Sequence, residues 1–181
     1  MTVDVLFLHG GGPDGYVADL ELAGALGAEL GPGFSVHVPD LTEESDWPRE
    51  IASQAADLAE PLVVVAHSHG GAMALSWLVG SDDLPELAGV FLLASPRWGS
   101  DDDWDVEEFA LPDDLAQQLP PVPLFLFHNS DDEVVPVEHL QRYAEALPAA
   151  QVIELPAGGH QFVDGVEAVA AEITAITADT D

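Results

Sequence analysis

The chain is predicted to fold as an α/β domain with a mostly parallel sheet of about six strands and helices on both faces. Short apolar runs alternate along the chain with segments of helical spacing, which is the pattern of strands joined by helices. Several runs, such as residues 62–66, are apolar at every position, as strands covered on both faces are. With 181 residues, 48% of them hydrophobic, the chain suits one domain spanning residues 1–181.

Each predicted strand is a short apolar run that ends at glycine, proline or a polar residue. The strands cover residues 3–9, 34–38, 62–66, 87–94, 124–128 and 151–155. Apolar residues three or four positions apart predict helices at residues 20–30, 51–58, 72–79, 113–119, 140–147 and 163–176. Because ligands bind beyond the carboxyl ends of parallel strands, we expect the functional residues to follow the strands directly.

The third strand runs into a serine framed by small residues, with the sequence A-H-S-H-G at positions 66–70. This is close to the G-x-S-x-G pattern, with Ala66 in place of the first glycine. Small residues are required because a sharp strand-to-helix turn leaves no room for bulky side chains two positions away. The hydroxyl would stand at a helix N-terminus, where developing negative charge is favoured. Ser68 is therefore the predicted nucleophile, whereas Ser76 and Ser95 lack this frame.

The first strand ends in a glycine loop, with the sequence H-G-G-G at positions 9–12, which resembles an HGGG-type motif. Backbone N–H groups without a neighbouring Cβ can approach an oxyanion closely. We therefore expect the oxyanion donors to be the N–H of Gly11 or Gly12 and the N–H of His69, the residue after the serine. The side chain of His69 is also expected to touch substrate.

Two short segments match in part the patterns of a dinucleotide site and of a calcium site. Residues 10–15 match the dinucleotide pattern G-x-G-x-x-G, but Pro13 removes an N–H where phosphate needs one, and Asp40 is the nearest candidate for the ribose. Residues 101–105 carry the alternating acids of a calcium loop but lack its glycine and glutamate, so a solvated acidic loop is favoured.

Two histidines, His67 and His69, flank the serine in a His-x-His pattern that can bind zinc. Neighbours of a residue at such a turn point apart, so no metal site and no cofactor are predicted. His9 and His128 end strands and are expected to make structural hydrogen bonds, whereas His139 is expected to be exposed on its helix.

Candidates for an acid and a general base follow the last two strands. Three consecutive acids, Asp131, Asp132 and Glu133, follow the fifth strand, and the residues by themselves do not decide among them. His160 lies in a small-residue loop after the sixth strand, from which a base can reach a serine on another element. The order serine, acid, histidine is the order found in α/β-hydrolases.

On these motifs the chain resembles the α/β-hydrolases over nearly its whole length. It is similar above all to the compact group that includes retinoblastoma-binding protein 9 and its bacterial relatives. Residues 124–136 resemble a strand followed by the HGxxDxxVP segment, in which the catalytic acid stands four residues before the proline. That position is Asp132, and Asn129 replaces the usual glycine. The resemblance implies Ser68 as nucleophile, His160 as general base and Asp132 as the acid that orients it.

The resemblance implies a serine hydrolase that cleaves a carboxylic ester of a small substrate through an acyl-enzyme. A thioesterase or peptidase of the same fold stays open, as does a catalytically silent protein that binds a partner. Residues 95–121, where this fold often carries a cap, are too few for a large lid, so an open cleft is expected. Trp98, Trp104 and Phe109 are expected either to wall the substrate site or merely to pin this acidic segment to the body.

The charge balance of the chain is extreme, with 34 Asp and Glu residues against 3 Lys and Arg, or formally −31. Nucleic acid and anionic membranes are disfavoured as partners because both require cationic patches, and anionic substrates are disfavoured as well. The simplest interpretation is adaptation to a salty cytoplasm. An acidic residue at position 4, no basic N-terminal region and no cysteine fit a cytoplasmic protein. The sequence leaves open whether the protein is a monomer or a homo-oligomer.

The first prediction concerns salt. Because salt screens like-charge repulsion, the thermal unfolding midpoint should rise as potassium chloride increases into the molar range. Calorimetry or circular dichroism at neutral pH measures this midpoint. Near the isoelectric point of about 4.1 the same titration should have little effect, which provides an internal control. A midpoint that stays flat or falls at neutral pH would contradict salt adaptation.

Overall fold

The computed structural model describes residues 2–44, 46–99 and 104–178. The strands are β1 (Val3–Leu8), β2 (Phe34–His37), β3 (Leu62–His67), β4 (Leu87–Leu93), β5 (Leu124–Asn129) and β6 (Gln151–Leu155). The helices are α1 (Gly15–Leu30), α2 (Trp47–Ala56), α3 (His69–Gly80), α4 (Leu115–Gln118), α5 (Glu138–Ala146) and α6 (Val166–Ala178). None of these helices combines the length and apolar character needed to cross a bilayer.

All six strands form one parallel sheet in the order β2-β1-β3-β4-β5-β6, which confirms the predicted fold class. Successive side chains of the central strands β1, β3, β4 and β5 enter two different cores. In β3, for example, Leu62, Val64 and Ala66 pack in the layer of α2, α3 and α5. Val63 and Val65 pack in the layer of α1 and α6. Because both faces are covered, the strand is apolar at every one of these positions.

The winding of the chain reverses at β1, which has β2 on one side and β3 on the other. A reversal of this kind opens a crevice at the carboxyl ends of the two central strands. The glycine loop follows β1, and Ser68 follows β3 directly. The topology therefore brings the two predicted parts of the site to one place.

Two helices differ from the prediction in phase or start. Leu20 was expected on the buried face of α1 but is 43% exposed, and Val163 was expected in the last helix but is 80% exposed before α6 begins. On α1 the acidic Asp19 holds a buried position, which turns Leu20 toward solvent. Val163 precedes the first residue of α6. The buried residues of α1 are Asp19, Leu22, Ala23, Leu26 and Leu30.

The segment between β4 and β5 is short, and hydrogen bonds of Arg97 hold it together and tie it to α5. It contains a 3-10 turn, Glu107–Phe109, and the single turn of α4. The guanidinium of Arg97 donates to the carbonyls of Leu111 and Pro112, at 3.4 Å each. The N–H of Arg97 donates to Nδ1 of His139 at 2.9 Å. His139 is buried at 1% exposure, so the expectation that it is exposed was wrong.

The contact between α3 and β1 generates the second prediction. A Cβ on Gly70 would lie 2.5 Å from the carbonyl oxygen of His9 and 2.7 Å from that of Leu8. Backbone atoms cannot move aside without separating the helix from the strand, so Gly70→Ala should lower the free energy of unfolding by about 1–3 kcal/mol. Urea unfolding followed by circular dichroism measures this change.

The matched control is Gly24→Ala, because Gly24 is exposed within α1 and a Cβ there meets nothing within 4 Å. This substitution should raise the free energy of unfolding by about 0.5–1 kcal/mol, since alanine restricts the unfolded chain. Equal effects of the two substitutions would contradict the close helix–strand contact.

Candidate active site

Ser68 lies at the sharp turn between β3 and α3, the elbow, in a backbone conformation that non-glycine residues rarely adopt. Its φ is 52° and its ψ is −125°. The N–H of Ser68 donates to the carbonyl of Leu93 at 2.8 Å, and the Ser95 hydroxyl donates to the carbonyl of Ser68 at 3.1 Å. Neighbouring elements therefore hold the strained turn in place.

Asp132 lies in the loop after β5 with its side chain fully buried. Its Oδ1 accepts from the N–H groups of Val134 and Val135, at 2.8 and 2.9 Å. Its Oδ2 is 2.8 Å from Nδ1 of His160 and 3.3 Å from Nε2 of His128. With two amide donors on Oδ1, Oδ2 accepts from a His160 that carries its proton on Nδ1. The Nε2 of His160 is then the nitrogen that can take up a proton.

The pKa of Asp132 reflects two opposing effects. Burial by itself raises the pKa, but hydrogen bonds from His128, from His160 and from two backbone amides outweigh it. The pKa of this carboxyl is therefore held well below its ordinary value of 3.8. Asp132 is an anion at any ordinary working pH and can orient and stabilise a protonated His160.

The loop that carries His160 is held by the residues around Asp132. Asp131 accepts from the N–H groups of Gly158 and Gly159, at 3.3 and 2.9 Å. The amide of Asn129 donates to the carbonyl of Gly159 at 2.8 Å. Asp131 therefore has a structural role that the sequence did not indicate. It ties the loop after β6 to the loop after β5.

The predicted oxyanion donors Gly11, Gly12 and His69 line the same cleft as the elbow serine. As the first residue of α3, His69 has a backbone N–H with no acceptor inside the helix. The N–H of Gly10, in contrast, donates to Oδ2 of Asp19 at 2.6 Å. Gly11 and Gly12 are thus the glycines of this loop whose amides can serve an oxyanion.

The cleft beside Ser68 has a volume of about 340 Å³, and its walls are mainly aromatic. The predicted residues Trp98, Trp104 and Phe109 all line it. Their rings also pack on each other, with centroids of Trp98 and Trp104 5.1 Å apart and those of Trp98 and Phe109 5.4 Å apart. All three residues therefore wall the cleft, and Trp98 and Phe109 also pin the segment to the body by packing against its core.

His69 contributes its ring to this wall. Its centroid lies 4.5 Å from that of Phe109, 5.2 Å from that of Trp47 and 6.1 Å from that of Trp98. Burial, together with repulsion from His9, lowers the pKa of His69 to about 4. The imidazole is therefore uncharged at neutral pH and adds no positive charge to the cleft.

His67 and His69 do not converge on a metal. The ring of His67 lies between Oδ2 of Asp19 and the carbonyl of His160, at 2.8 Å from each, whereas the ring of His69 lies among aromatic side chains. Within residues 2–44, 46–99 and 104–178, no three side chains of histidine, aspartate or glutamate come together as a metal site.

Asp40, the candidate ribose ligand, accepts from the N–H of Thr42 at 3.0 Å in an exposed turn. The candidate calcium loop at residues 101–105 lies partly outside the described residues, which omit 101–103.

Two histidines have the structural roles expected of them, and one polar residue was missed. Nε2 of His9 accepts from the N–H of Leu41 at 2.9 Å, and Nε2 of His128 donates to the carbonyl of Val135 at 2.8 Å. Asp19 was not among the predicted site residues, although it is only 1% exposed. Asp19 lies on the buried face of α1 with Leu22, Ala23 and Leu26, which is evident only from the packing of the helix on the sheet.

The model of the serine hydrolase family matches residues 36–168 of the chain. The protein belongs to the serine hydrolase family. No match is found among curated proteins. Because the family match covers the elbow, the acid and the histidine loop, this serine hydrolase carries all three motifs within the matched region.

Solved structures share the fold of this serine hydrolase at low sequence identity. The esterase domain of a Rhodothermus marinus protein aligns with a TM-score of 0.72 at 19% identity, over 96% of this chain and 84% of that chain. The ydeN gene product of B. subtilis aligns with 0.74 at 20% identity, over 98% and 100%. A 2-hydroxy-6-oxo-6-phenylhexa-2,4-dienoate hydrolase from Rhodococcus sp. strain RHA1 aligns with 0.77 at 17% identity, over 98% and 91%.

The bond between Asp132 and His160 generates the third prediction. In Asp132→Asn an amide can replace the oxygen that accepts from Nδ1, so His160 loses the tautomer with a free Nε2. We expect kcat of the serine hydrolase to fall by about 10⁴-fold, as for loss of the acid in other serine triads. Steady-state kinetics on an ester substrate measures this change.

Glu133→Gln is the control, because Glu133 is an exposed acid one position away. It should leave kcat within about threefold of the wild-type value. A kcat loss of equal size in both variants would refute the assignment of Asp132.

The lowered pKa of Asp132 also makes the stability of the fold depend on pH. Because the pKa is lower in the folded than in the unfolded chain, the carboxylate stabilises the fold above about pH 3.8, and this contribution is lost as pH falls through the folded value. The stability advantage of wild type over Asp132→Asn should shrink accordingly in acid.

Proposed function

We propose that this serine hydrolase cleaves carboxylic esters of small, uncharged substrates through an acyl-enzyme on Ser68. The observation that carries the proposal is the 2.8 Å bond between Asp132 and Nδ1 of His160, at the sheet edge where Ser68 stands in its strained turn. A buried acid, an oriented imidazole and a half-buried serine are the three parts of an activated serine nucleophile.

The reaction uses groups of this chain alone. Nε2 of His160 takes the proton of Ser68 as Oγ attacks the ester carbonyl, and Asp132 stabilises the imidazolium without taking up the proton. The N–H of His69 and that of Gly11 or Gly12 bind the oxyanion, each lowering the barrier by about 3 kcal/mol. His160 returns the proton to the leaving alcohol. It then activates the water that releases the acid and restores Ser68.

The chemistry of the cleft supports uncharged, apolar acyl groups. Its walls are the rings of Trp98, Trp104, Phe109 and a His69 that is neutral at working pH. Arg97 lies in sequence between two residues that line the cleft, Pro96 and Trp98. Its guanidinium donates to backbone carbonyls. Net charge of −31 further repels anionic substrates. A volume of about 340 Å³ suits a short or aromatic acyl group.

Further assignments support the same proposal without being needed for it. We place the chain near the compact group that includes retinoblastoma-binding protein 9, with residues 95–121 in place of a cap. We also propose a cytoplasmic, salt-adapted enzyme that binds neither nucleic acid nor membrane. A structural neighbour described as an esterase domain, with a TM-score of 0.72, is consistent with ester cleavage.

The fourth prediction tests the nucleophile. A fluorophosphonate probe should label the folded protein in high salt, and Ser68→Ala should abolish labelling because Oγ forms the covalent bond. Ser76→Ala is the matched control, since Ser76 is a half-buried serine of the following helix, and it should be labelled like wild type. Labelling that survives Ser68→Ala would refute Ser68 as the nucleophile, whereas an unlabelled wild type would support a silent binding protein instead.

The substrate class is measured with wild type and with Ser68→Ala. Wild type should hydrolyse p-nitrophenyl acetate and butyrate faster than an acyl-coenzyme A or a peptide, and a monosuccinate ester poorly because of its charge. A labelled enzyme that prefers the thioester or the peptide would retain the nucleophile and overturn the ester assignment. Ser68→Ala provides the background rate for every substrate.

A further inference from the structure

A second histidine–aspartate pair lies directly behind the elbow. His67 is the residue before Ser68, Asp19 comes from the second turn of α1, and both side chains are 1% exposed. Nδ1 of His67 is 2.8 Å from Oδ2 of Asp19. The mechanism above does not use either side chain. Burying an ionisable pair of this kind costs desolvation free energy, which only close hydrogen bonds can offset.

The outer partners of the pair are backbone groups of fixed polarity. Nε2 of His67 is 2.8 Å from the carbonyl oxygen of His160, which can only accept. Oδ2 of Asp19 accepts from the N–H of Gly10 at 2.6 Å, and this N–H can only donate. His67 must therefore carry a proton on Nε2. The oxygen that accepts from Gly10 accepts best from Nδ1–H as well, so the geometry favours protons on both ring nitrogens.

From these bonds we propose that Asp19 and His67 form a positioning pair that aligns the oxyanion loop and the catalytic histidine with Ser68. One end holds Gly10, the first glycine of the oxyanion loop, and the other end holds the backbone of His160. The strand residue between them is covalently joined to the nucleophile. The inference deepens the proposed function and rests on it, because it assigns a role within the same site.

The surroundings of His160 show why such a bond matters. The residues before it, Gly158 and Gly159, have left-handed φ angles of 139° and 60°, which leaves the loop without regular backbone pairing. Asp131 and Asn129 hold this loop from the side of β5, through Gly158 and Gly159. The bond from His67 holds His160 from the side of β3. The rings of His67 and His160 also pack with centroids 4.7 Å apart.

The fifth prediction uses Asp19→Asn. The amide oxygen can still accept from Gly10, but an uncharged partner leaves His67 with one proton to serve two acceptors. Either Nδ1 then faces an oxygen without a proton, or the bond to His160 is lost. We expect kcat and the rate of fluorophosphonate labelling to fall about 10–100-fold, as for loss of groups that orient a reacting residue, while KM changes little.

A rescue variant separates positioning from packing. In His67→Gln the side-chain N–H₂ can still donate to the carbonyl of His160, and nothing on the side of Asp19 requires a second proton. The double variant Asp19→Asn/His67→Gln should therefore recover at least about tenfold of the activity that Asp19→Asn loses. If the pair merely filled space, the two losses would add. Additive losses would overturn the proposal.

The control is another histidine–aspartate pair, formed by Asp4 and His37, with Asp4 at the opposite end of β1 from the cleft. Oδ1 of Asp4, near the start of β1, is 2.9 Å from Nε2 of His37, and its Oδ2 accepts from the N–H of Ala59. This pair is more exposed than that of Asp19 and His67, but Asp4→Asn makes the same chemical change and should leave kcat and labelling unchanged.

The outcomes distinguish this inference from the proposed function. Absence of labelling in wild type refutes the function itself. Equal labelling of wild type and Asp19→Asn, at equal kcat, refutes the positioning pair alone. Should Asp19→Asn fail to fold, ¹⁵N NMR of the wild-type histidine rings decides instead, because it reports which ring nitrogens carry a proton. Protons on both nitrogens of His67 support the pair, whereas an unprotonated nitrogen overturns the proton assignment behind the rescue.

Discussion

The site depends on one backbone contact, the close approach of the start of α3 to the end of β1. At Gly70 the helix lies so near the carbonyls of Leu8 and His9 that a Cβ would collide with them. This contact forces the chain to leave β3 through a left-handed residue, which is Ser68. It also sets Ser68 beside the glycine loop that follows β1. Strain at the turn is therefore the consequence of bringing the candidate nucleophile and the candidate oxyanion donors together.

The acid and the histidine come from loops that packing alone does not aim. Phe162, buried at 2% exposure, anchors the histidine loop in the core between α1 and α6. Hydrogen bonds then define the orientation, because glycine amides of the loop donate to Asp131 and Nδ1–H of His160 donates to Asp132. Polar bonds to backbone thus give a glycine-rich loop the definition that its sequence lacks, and this explains why acids cluster after β5.

The strands and the triad candidates could be predicted from the sequence, because each depends on a local requirement. A strand covered on both faces must be apolar throughout, and an elbow must have small residues on either side of its serine. Asp19 and His139 could not be placed in this way. In a chain with 34 acidic residues, one acid on a helix looks like another solvated charge. Only the packing of α1 against the sheet shows that the carboxylate of Asp19 points inward.

The same excess of acid explains why the site is built from pairs. With 3 basic residues in the chain, distant positive charge cannot stabilise a buried carboxylate, so each one needs donors in direct contact. Asp132 and Asp19 both meet this need with histidine rings and backbone amides. Salt screens charges at the surface far more than buried pairs. High salt can therefore relieve the repulsion that opposes folding while leaving the hydrogen bonds of the site intact.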